Sequence, residues 1–226
     1  WSPRGRLLAV GGNDYALTLL DTQDDGNVVW KQGHKDRVYS LCFSADGQGV
    51  ISACYDSVVR AFDTVSGEKK LEMRGHTGLV NSVAASSDGS LIASVGELGD
   101  TNLRFWNAST GAEEWKFYLG GTSYCVIFNH DGTRVATSCG SDGSLRIFSV
   151  QERHLLHEVQ AHRLAWCCAF SGDSRLIASG GNHGELIRFD AETFAEVRRI
   201  EHPSQSEIYS VTFDPSSRYI ATGTTV

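Results

Sequence analysis

The sequence has little of several features that mark other classes of protein. It contains 3 prolines among 226 residues, and its 24 glycines follow no three-residue period, which excludes a collagen-like chain. Its longest apolar run, residues 164–170, is far shorter than the roughly 18 residues of a membrane-spanning helix. With 41% hydrophobic and 21% charged residues, the composition is that of an ordinary globular protein rather than a disordered one. We therefore expect a folded chain that does not enter a membrane.

Basic charge and paired cysteines are also scarce. The net charge is −7, whereas a general phosphate binder needs an excess of Lys and Arg, so we expect no direct binding to nucleic acid. The 6 cysteines include no Cys-x-x-Cys pair and no zinc-ligand spacing. This pattern predicts free thiols in a reducing compartment, the cytoplasm or the nucleus, and no metal site.

Sequence motifs for catalysis are missing as well. There is no Gly-x-Ser-x-Gly elbow, no phosphate-binding loop and no His-Glu-x-x-His motif. The sequence therefore predicts a protein that is not an enzyme and that carries no cofactor.

The sequence does contain a repeat of about 42 residues. Apolar segments end at regular spacings of 42 or 43 residues, each followed by a turn-forming sequence. Their last residues are Trp1, Phe43, Ala85, Phe128, Phe170 and Phe213. Between them, short apolar segments alternate with Asp-Gly, Ser-Gly or Thr-Gly turns, and no segment keeps a 3.6-residue period. The pattern predicts an all-β protein with four short strands in each repeat.

Three short motifs recur within these repeats. A Gly-His pair precedes the first strand at 33–34 and 75–76, and altered forms stand at 161–162 and 201–202. A turn aspartate stands six residues before an aromatic residue in three repeats. These are Asp56 before Phe62, Asp100 before Trp106 and Asp142 before Phe148, with His183 replacing the aspartate in the next repeat. A Trp-Asp pair is altered in every repeat, for example to Phe62-Asp63. In these motifs the chain resembles the WD-repeat family of β-propellers over essentially its whole length.

The resemblance implies a β-propeller of four-stranded antiparallel blades and one WD-repeat domain over residues 1–226. The expected repeat units are 1–32 (partial), 33–74, 75–118, 119–159, 160–200 and 201–226 (partial). At a period of about 42 the chain holds about 5.4 repeats, whereas a seven-bladed ring would take about 294 residues. We therefore expect the chain to be part of a seven-bladed ring, with a five-bladed ring closed by strand exchange as the alternative.

The family's histidine and turn aspartate imply structural pairs. The histidine that enters the first strand is expected to hydrogen-bond the turn aspartate of the same repeat, and the third-strand aromatic residue is expected to shield the pair. The residues concerned are His34 with Asp56, His76 with Asp100 and Trp106, and the turn residue Asp142. A catalytic role for such a pair would need a nucleophile, and the sequence positions none.

A second set of residues is predicted to bind a partner. They stand four residues before the end of an apolar segment, counted from Phe43, Ala85, Phe128, Phe170 and Phe213. In the family, the first strand opens at this position toward the narrow face of the propeller. They are Tyr39, Asn81, Tyr124, Trp166 and Tyr209. Arg37 and Tyr55 are expected on the same side. Tyr, Trp and Arg often dominate binding energy at interfaces, but rings at these positions could instead fill gaps around a channel.

Together, the residues and the resemblance imply a non-catalytic scaffold in the cytoplasm, or in the nucleus. We expect it to present its faces to protein or peptide partners within a multi-protein complex. The alternatives are a propeller enzyme that uses the central funnel, or a structural subunit of a ribonucleoprotein or cytoskeletal assembly.

Overall fold

The computed structural model of the chain describes residues 1–97, 99–201 and 205–224. Across those residues the chain forms β-strands and one short 3-10 turn, Asn182–Gly184, and no α-helix. The described residues include no helix that is long and apolar enough to cross a membrane. His202, at the altered motif of the last repeat, lies outside the described residues. The all-β prediction is confirmed.

The first of two compact units, Trp1–Gly120, contains three antiparallel sheets. Their strands follow one another in chain order. The first sheet is β1 (Leu7–Gly11), β2 (Ala16–Asp21) and β3 (Asn27–Gly33). The second is β4 (Val38–Phe43), β5 (Gly49–Cys54), β6 (Val58–Asp63) and β7 (Lys69–Arg74). The third is β8 (Leu79–Ala85), β9 (Leu91–Glu97), β10 (Asn102–Asn107) and β11 (Glu113–Tyr118).

The second unit, Gly121–Val226, is built in the same way. Its first sheet is β12 (Ser123–Phe128), β13 (Arg134–Cys139), β14 (Ser144–Ser149) and β15 (His154–Gln160). Its second sheet is β16 (Ala165–Phe170), β17 (Leu176–Gly181), β18 (Glu185–Asp190) and β19 (Glu196–Glu201). Its third sheet is the pair β20 (Ile208–Phe213) and β21 (Ile220–Thr224).

Burial falls from the middle strands to the fourth strand of a sheet. Residues 50–54 of β5 and 58–62 of β6 are buried without interruption, so both faces of these strands are covered. In contrast, β19 is exposed along its whole length. Successive apolar residues in the sequence therefore mark the strands that have a neighbouring sheet on each side.

Each unit has its core between neighbouring sheets. In the first unit, Ile51 and Met73 of the second sheet pack in one cluster with Ile92 and Trp106 of the third. In the second unit, the cluster joins two four-stranded sheets. Its members include Ala136, Leu145, Ile147, Cys168, Ile177, Ile187 and Phe189. Apolar burial between sheets supplies the stabilisation that a single four-stranded sheet lacks.

The Asp-Gly turns connect the first two strands of a sheet. Gly47 has φ +73°, and its amide donates to the Ser44 carbonyl oxygen at 2.9 Å. Oδ1 of Asp46 accepts from the Gln48 amide at 2.9 Å. The connection is a five-residue loop, 44–48, rather than a two-residue hairpin turn. Asp46 is held within this loop by its hydrogen bond from Gln48.

Candidate partner-binding surfaces

A β-bulge marks the first strand of every sheet after the first one. In each of these five sheets, the pairing register with the second strand shifts across one residue. The five bulged residues are Tyr39, Asn81, Tyr124, Trp166 and Tyr209. They are the five residues that the sequence predicted from their phase. A bulge leaves its residue unpaired with the neighbouring strand and redirects the side chain. The five residues therefore have the same local backbone arrangement.

In the second unit, three of these residues form an aromatic ladder: Tyr124, Trp166 and Tyr209. The Tyr124 and Trp166 ring centroids lie 4.8 Å apart with the planes tilted by 50°. Trp166 and Tyr209 stack at 5.3 Å and 29°. Tyr209 is 47% exposed, and its hydroxyl donates to the Glu207 carboxylate. The ladder therefore joins three neighbouring sheets and ends at an exposed ring.

Gly140 makes room for one end of the ladder. It directly follows β13, and its amide donates to the Thr122 carbonyl oxygen at 2.9 Å. A Cβ at this position would lie 2.1 Å from Cε2 of Tyr124. The Tyr124 ring therefore lies against bare backbone, and a larger residue at 140 would push it away.

In the first unit, Tyr39 and Tyr55 form a tyrosine pair. Their rings stack at 4.9 Å and 16°, and Tyr39 is 54% exposed. The Tyr55 amide donates to the Arg37 carbonyl oxygen at 3.0 Å, which brings Arg37 to the edge of the pair. Arg37 is exposed. These three predicted residues are thus neighbours.

Asn81 corrects one prediction. Its side chain is 1% exposed, so it does not take part in an exposed surface. Its position in the bulge matches that of the aromatic residues. An amide side chain is much shorter than a tyrosine ring, so it ends below the surface that the rings reach.

A chain of hydrogen bonds runs through the third sheet. Nε1 of Trp106 lies 2.8 Å from Oγ of Ser94, and Oγ lies 2.7 Å from Nε2 of His76. Nδ1 of His76 lies 2.8 Å from Oδ2 of Asp100. These contacts are consistent with three hydrogen bonds in one direction. The Trp106 indole donates to the Ser94 hydroxyl, the hydroxyl donates to Nε2 of a neutral His76, and Nδ1–H of His76 donates to the Asp100 carboxylate. The predicted contact between His76 and Asp100 is therefore present, with Ser94 as an additional member.

The titration behaviour of this chain of groups follows from its burial. Burial lowers the pKa of His76, and this effect outweighs the opposing hydrogen bond to Asp100. Burial also tends to raise the pKa of the Asp100 carboxyl, but hydrogen bonds from His76 and Asn102 bring it well below its usual range. A neutral imidazole beside an ionised carboxylate is the resulting state near neutral pH.

The expected pair of His34 and Asp56 is not made. Nη1 and Nη2 of Arg60 contact the two Asp56 carboxylate oxygens at 3.0 and 2.7 Å. Nε2 of His34 lies 2.9 Å from Oγ of Ser52, and its buried Nδ1 has no hydrogen-bond partner among the described residues. The prediction was wrong because the Arg60 guanidinium binds both Asp56 oxygens through two parallel hydrogen bonds. In the third sheet, Arg104 reaches only Oδ2 of Asp100 and also pairs with Glu113, and there the histidine contact is kept.

Asp142 is held by a similar arginine. It accepts from the Ser144 amide at 3.0 Å and from Nη2 of Arg146 at 2.6 Å. In the next sheet, His183 occupies the turn with φ +62°. There the buried His162 turns to other partners, Oγ of Ser179 at 3.1 Å and Oε2 of Glu185 at 3.5 Å.

Sequence reasoning missed the serines and arginines of these clusters. Ser52, Ser94 and Ser179 each stand nine residues after the end of the apolar segment at Phe43, Ala85 or Phe170, and Arg60, Arg104 and Arg146 each stand four residues after the turn aspartate. The repeat spacing would have found the serines, and counting from the turn aspartate would have found the arginines. Across the residues that the structure describes, no group of three or more His, Cys, Asp and Glu side chains could hold a metal ion.

The family of the chain follows from its repeats. Five segments match the family model of the WD domain, G-beta repeat: residues 26–63, 67–107, 119–149, 153–189 and 195–225. The chain belongs to the WD-repeat family. In the first two segments, the family's repeat runs from the last strand of one sheet through the third strand of the next.

Individual WD-repeat proteins are similar to this chain over most of its length. Human apoptotic protease-activating factor 1 is 29% identical over 187 residues, which are 82% of this chain and 15% of that protein. THO complex subunit 3 of Arabidopsis thaliana is 26% identical over 200 residues, 85% of this chain and 61% of that protein. Eukaryotic translation initiation factor 3 subunit I of Schizosaccharomyces pombe is 26% identical over 205 residues, 84% of this chain and 62% of that protein. The chain thus spans less than two thirds of each relative.

Proposed function

We propose that this WD-repeat chain is a non-catalytic interaction scaffold that holds a protein or peptide partner through the aromatic side chains at its bulges. The observation that carries the proposal is the aromatic ladder of Tyr124, Trp166 and Tyr209. Large rings that are already stacked lose little conformational entropy on binding, and Tyr and Trp are enriched among residues that dominate interface energy. The names of two relatives, a THO complex subunit and an initiation factor subunit, support membership of a multi-protein complex.

One feature of Trp166 speaks against the alternative that the rings only fill space. Its buried Nε1–H has no hydrogen-bond partner among the described residues. An unsatisfied buried donor costs about 1–3 kcal/mol, so an apolar side chain of similar size would fill the same space at lower cost. An indole at this position is better explained by the contact surface that it offers to a partner. By the family resemblance, the ladder is proposed to belong to the narrow face. In the first unit, Tyr39, Tyr55 and Arg37 are proposed to form a partner-binding surface of their own.

The test is affinity purification from cells followed by mass spectrometry, with the natural chain and a Trp166→Ala, Tyr124→Ala double variant. The double variant is expected to lose the captured partners, because each anchor contributes about 2 kcal/mol or more to binding. Tyr118→Ala is the matched control, since Tyr118 is 79% exposed on β11 and lies outside the ladder. Circular dichroism and thermal melting of each variant monitor folding.

The outcome that contradicts the proposal is specific. If the double variant is less stable but its folded fraction captures partners normally, the rings are packing residues and the partner binds elsewhere. Substrate screens for hydrolase and oxidoreductase activity on the purified chain address the enzyme alternative, and turnover there would reject the non-catalytic part of the proposal.

A further inference from the structure

The first unit contains an open groove between its second and third sheets, here called the intersheet groove. It has a volume of about 650 Å³ and lies at the end of the sheets where β4 turns into β5 and β8 turns into β9. Apolar side chains line its floor. They include Ile51, Ala61, Leu71, Ala85 and Ile92. The volume is in the range of sites that hold small ligands or a few peptide side chains.

Three carboxylates, those of Asp46, Asp63 and Asp88, line the intersheet groove. Each is hydrogen-bonded within its own turn. The strongest contributions come from the hydroxyls of Ser44 and Ser86 and from the Ser66 amide, and they lower the pKa of the three carboxyl groups. All three are therefore ionised at neutral pH.

None of these carboxylates forms an ion pair in the described part of the chain. Lys70 also lines the groove and attracts Asp63 electrostatically, but its ammonium group pairs with Glu68 at 2.6 Å. The intersheet groove thus combines an apolar floor with three carboxylates and one lysine, an excess of negative charge.

The corresponding groove between the first and second sheets is filled by a ring of the chain itself. Trp30 of β3 lies on Gly67, where a Cβ would come within 2.8 Å of Cγ of the indole. Its Nε1 donates to the Thr64 carbonyl oxygen at 3.0 Å. The indole therefore closes this groove with both an apolar and a polar contact.

The second unit has a smaller groove of about 450 Å³ between its two four-stranded sheets. It is lined by Asp131, Asp173 and Asp190 and also by Arg134 and Arg175, so arginines of the chain itself lie among its carboxylates. Beside it, Phe194 stacks on His157 at 4.6 Å and 9°, and the guanidinium carbon of Arg134 lies 5.8 Å from the centre of the Phe194 ring.

In the intersheet groove, the positions of these rings are taken by residues without one. Leu71 pairs opposite Ala61 as Trp30 pairs opposite Leu19, and Gly111 holds the turn position of Phe194. The rings that stand at these positions elsewhere are therefore missing here, and the intersheet groove is the larger one, about 650 Å³ against about 450 Å³ in the second unit.

We propose that the intersheet groove binds a peptide segment of a partner protein that carries an aromatic side chain next to an arginine. The ring would pack on the apolar floor beside Leu71 and Ile92. The guanidinium would pair with the carboxylates of Asp63 and Asp88. This site is independent of the aromatic ladder, because it lies in the first unit and shares no residue with the ladder.

The test is isothermal titration of the purified chain with three synthetic peptides. The probe is acetyl-Gly-Arg-Phe-Arg-Gly-amide, and the comparison peptides replace Phe by Ala or both Arg by Glu. The probe is expected to bind with a dissociation constant below 1 mM, and each comparison peptide at least about tenfold more weakly. Binding of the probe should weaken with added salt, because part of it is electrostatic.

Two variants locate the binding. Leu71→Trp places in the intersheet groove the ring that Trp30 supplies in its neighbour, and it should lower affinity at least about tenfold. The Asp63→Asn, Asp88→Asn variant removes two charges while keeping the turn acceptors, as Asn107 does in its own turn at 3.0 Å. It should weaken binding at low salt and have little effect at high salt. The matched control is the double variant Asp131→Asn, Asp190→Asn, which removes two charges from the groove of the second unit. It should leave the affinity for the probe unchanged.

Several results would overturn the proposal. These are no heat of binding up to 1 mM probe, equal affinity for the Glu peptide, or undiminished affinity in both groove variants. Since the Asn variant tests the same site, a failure of Leu71→Trp to fold does not prevent a decision. A self-association in sedimentation that Leu71→Trp abolishes would assign the groove to a second copy of the chain instead.

Discussion

The Cδ2–Cε2 edge of the Tyr124 ring lies against the backbone of Gly140, with Cε2 2.1 Å from the place where a Cβ would stand. This contact is what sets one end of the aromatic ladder. In the first unit the equivalent position is Tyr55, and there the two tyrosine rings stack on each other instead. A side chain at the bulge therefore takes its orientation from the residue that follows the second strand.

Gly140→Ala is expected to displace the Tyr124 ring from Trp166 and to lower the free energy of unfolding by about 1–3 kcal/mol, because the added methyl overpacks the site. Denaturant unfolding and near-ultraviolet circular dichroism measure the two effects. Gly223→Ala is the control, since its Cβ would meet only Cβ of Ser210 at 3.6 Å. Equal behaviour of the two variants would show that the ring adapts without cost.

Removal of the Asp100 carboxylate should destabilise the third sheet. Asp100→Ala leaves His76 and the Thr77 amide without their acceptor and is expected to cost about 1–3 kcal/mol in unfolding free energy. The measurement is denaturant unfolding. Asp24→Ala, at an exposed turn, is the control. Similar losses in both variants would contradict the structural role of Asp100.

The stability of the chain should fall as the pH is lowered from about 7 to 5. Burial lowers the pKa of His34, His76 and His162 below the ordinary 6.5. Below that pH the unfolded chain binds more protons than the folded one, so the unfolding free energy decreases with decreasing pH. The depressed pKa of Asp100 adds a further loss below about pH 4.

Thermal melting between pH 7.5 and 5 measures this dependence. A His76→Gln variant should show a shallower decline than the natural chain, whatever its absolute stability. A melting temperature that is constant, or that rises, as the pH falls would reject the interpretation.

The cysteines should react slowly in the folded protein. All six are free, four of them buried and Cys42 and Cys125 half-buried. Burial raises the pKa of Cys42 and Cys167 to about 12 and that of Cys54 to about 11, so little thiolate is present at pH 8. Thiol titration should give few reactive groups before denaturant is added and six afterwards. A disulfide in protein alkylated at purification would contradict this prediction.

Much of this protein follows from the sequence because its signals are local and repeated. The turn residues and the spacing of 42 or 43 residues are sufficient to predict short antiparallel strands in successive sheets. The phase of the repeat also singles out the bulged residues, since each repeat uses the same position of its first strand. The contact of His76 with Asp100 follows from the family's motif, but the same motif predicts a contact of His34 with Asp56 that the structure does not make.

Only the tertiary structure shows which partner a side chain contacts and whether that side chain is buried. Asp56 pairs with Arg60 rather than with His34, because the outcome depends on which donor reaches the carboxylate with the better geometry. Asn81 shares its phase with the aromatic residues, yet it is buried, because burial depends on side-chain length and on the neighbouring sheets. Phe194 and Gly111 hold the same turn position, but what each contacts is set by residues about 40 positions away along the chain. A repeat predicts equivalent backbone positions, but packing between neighbouring sheets determines what each position does.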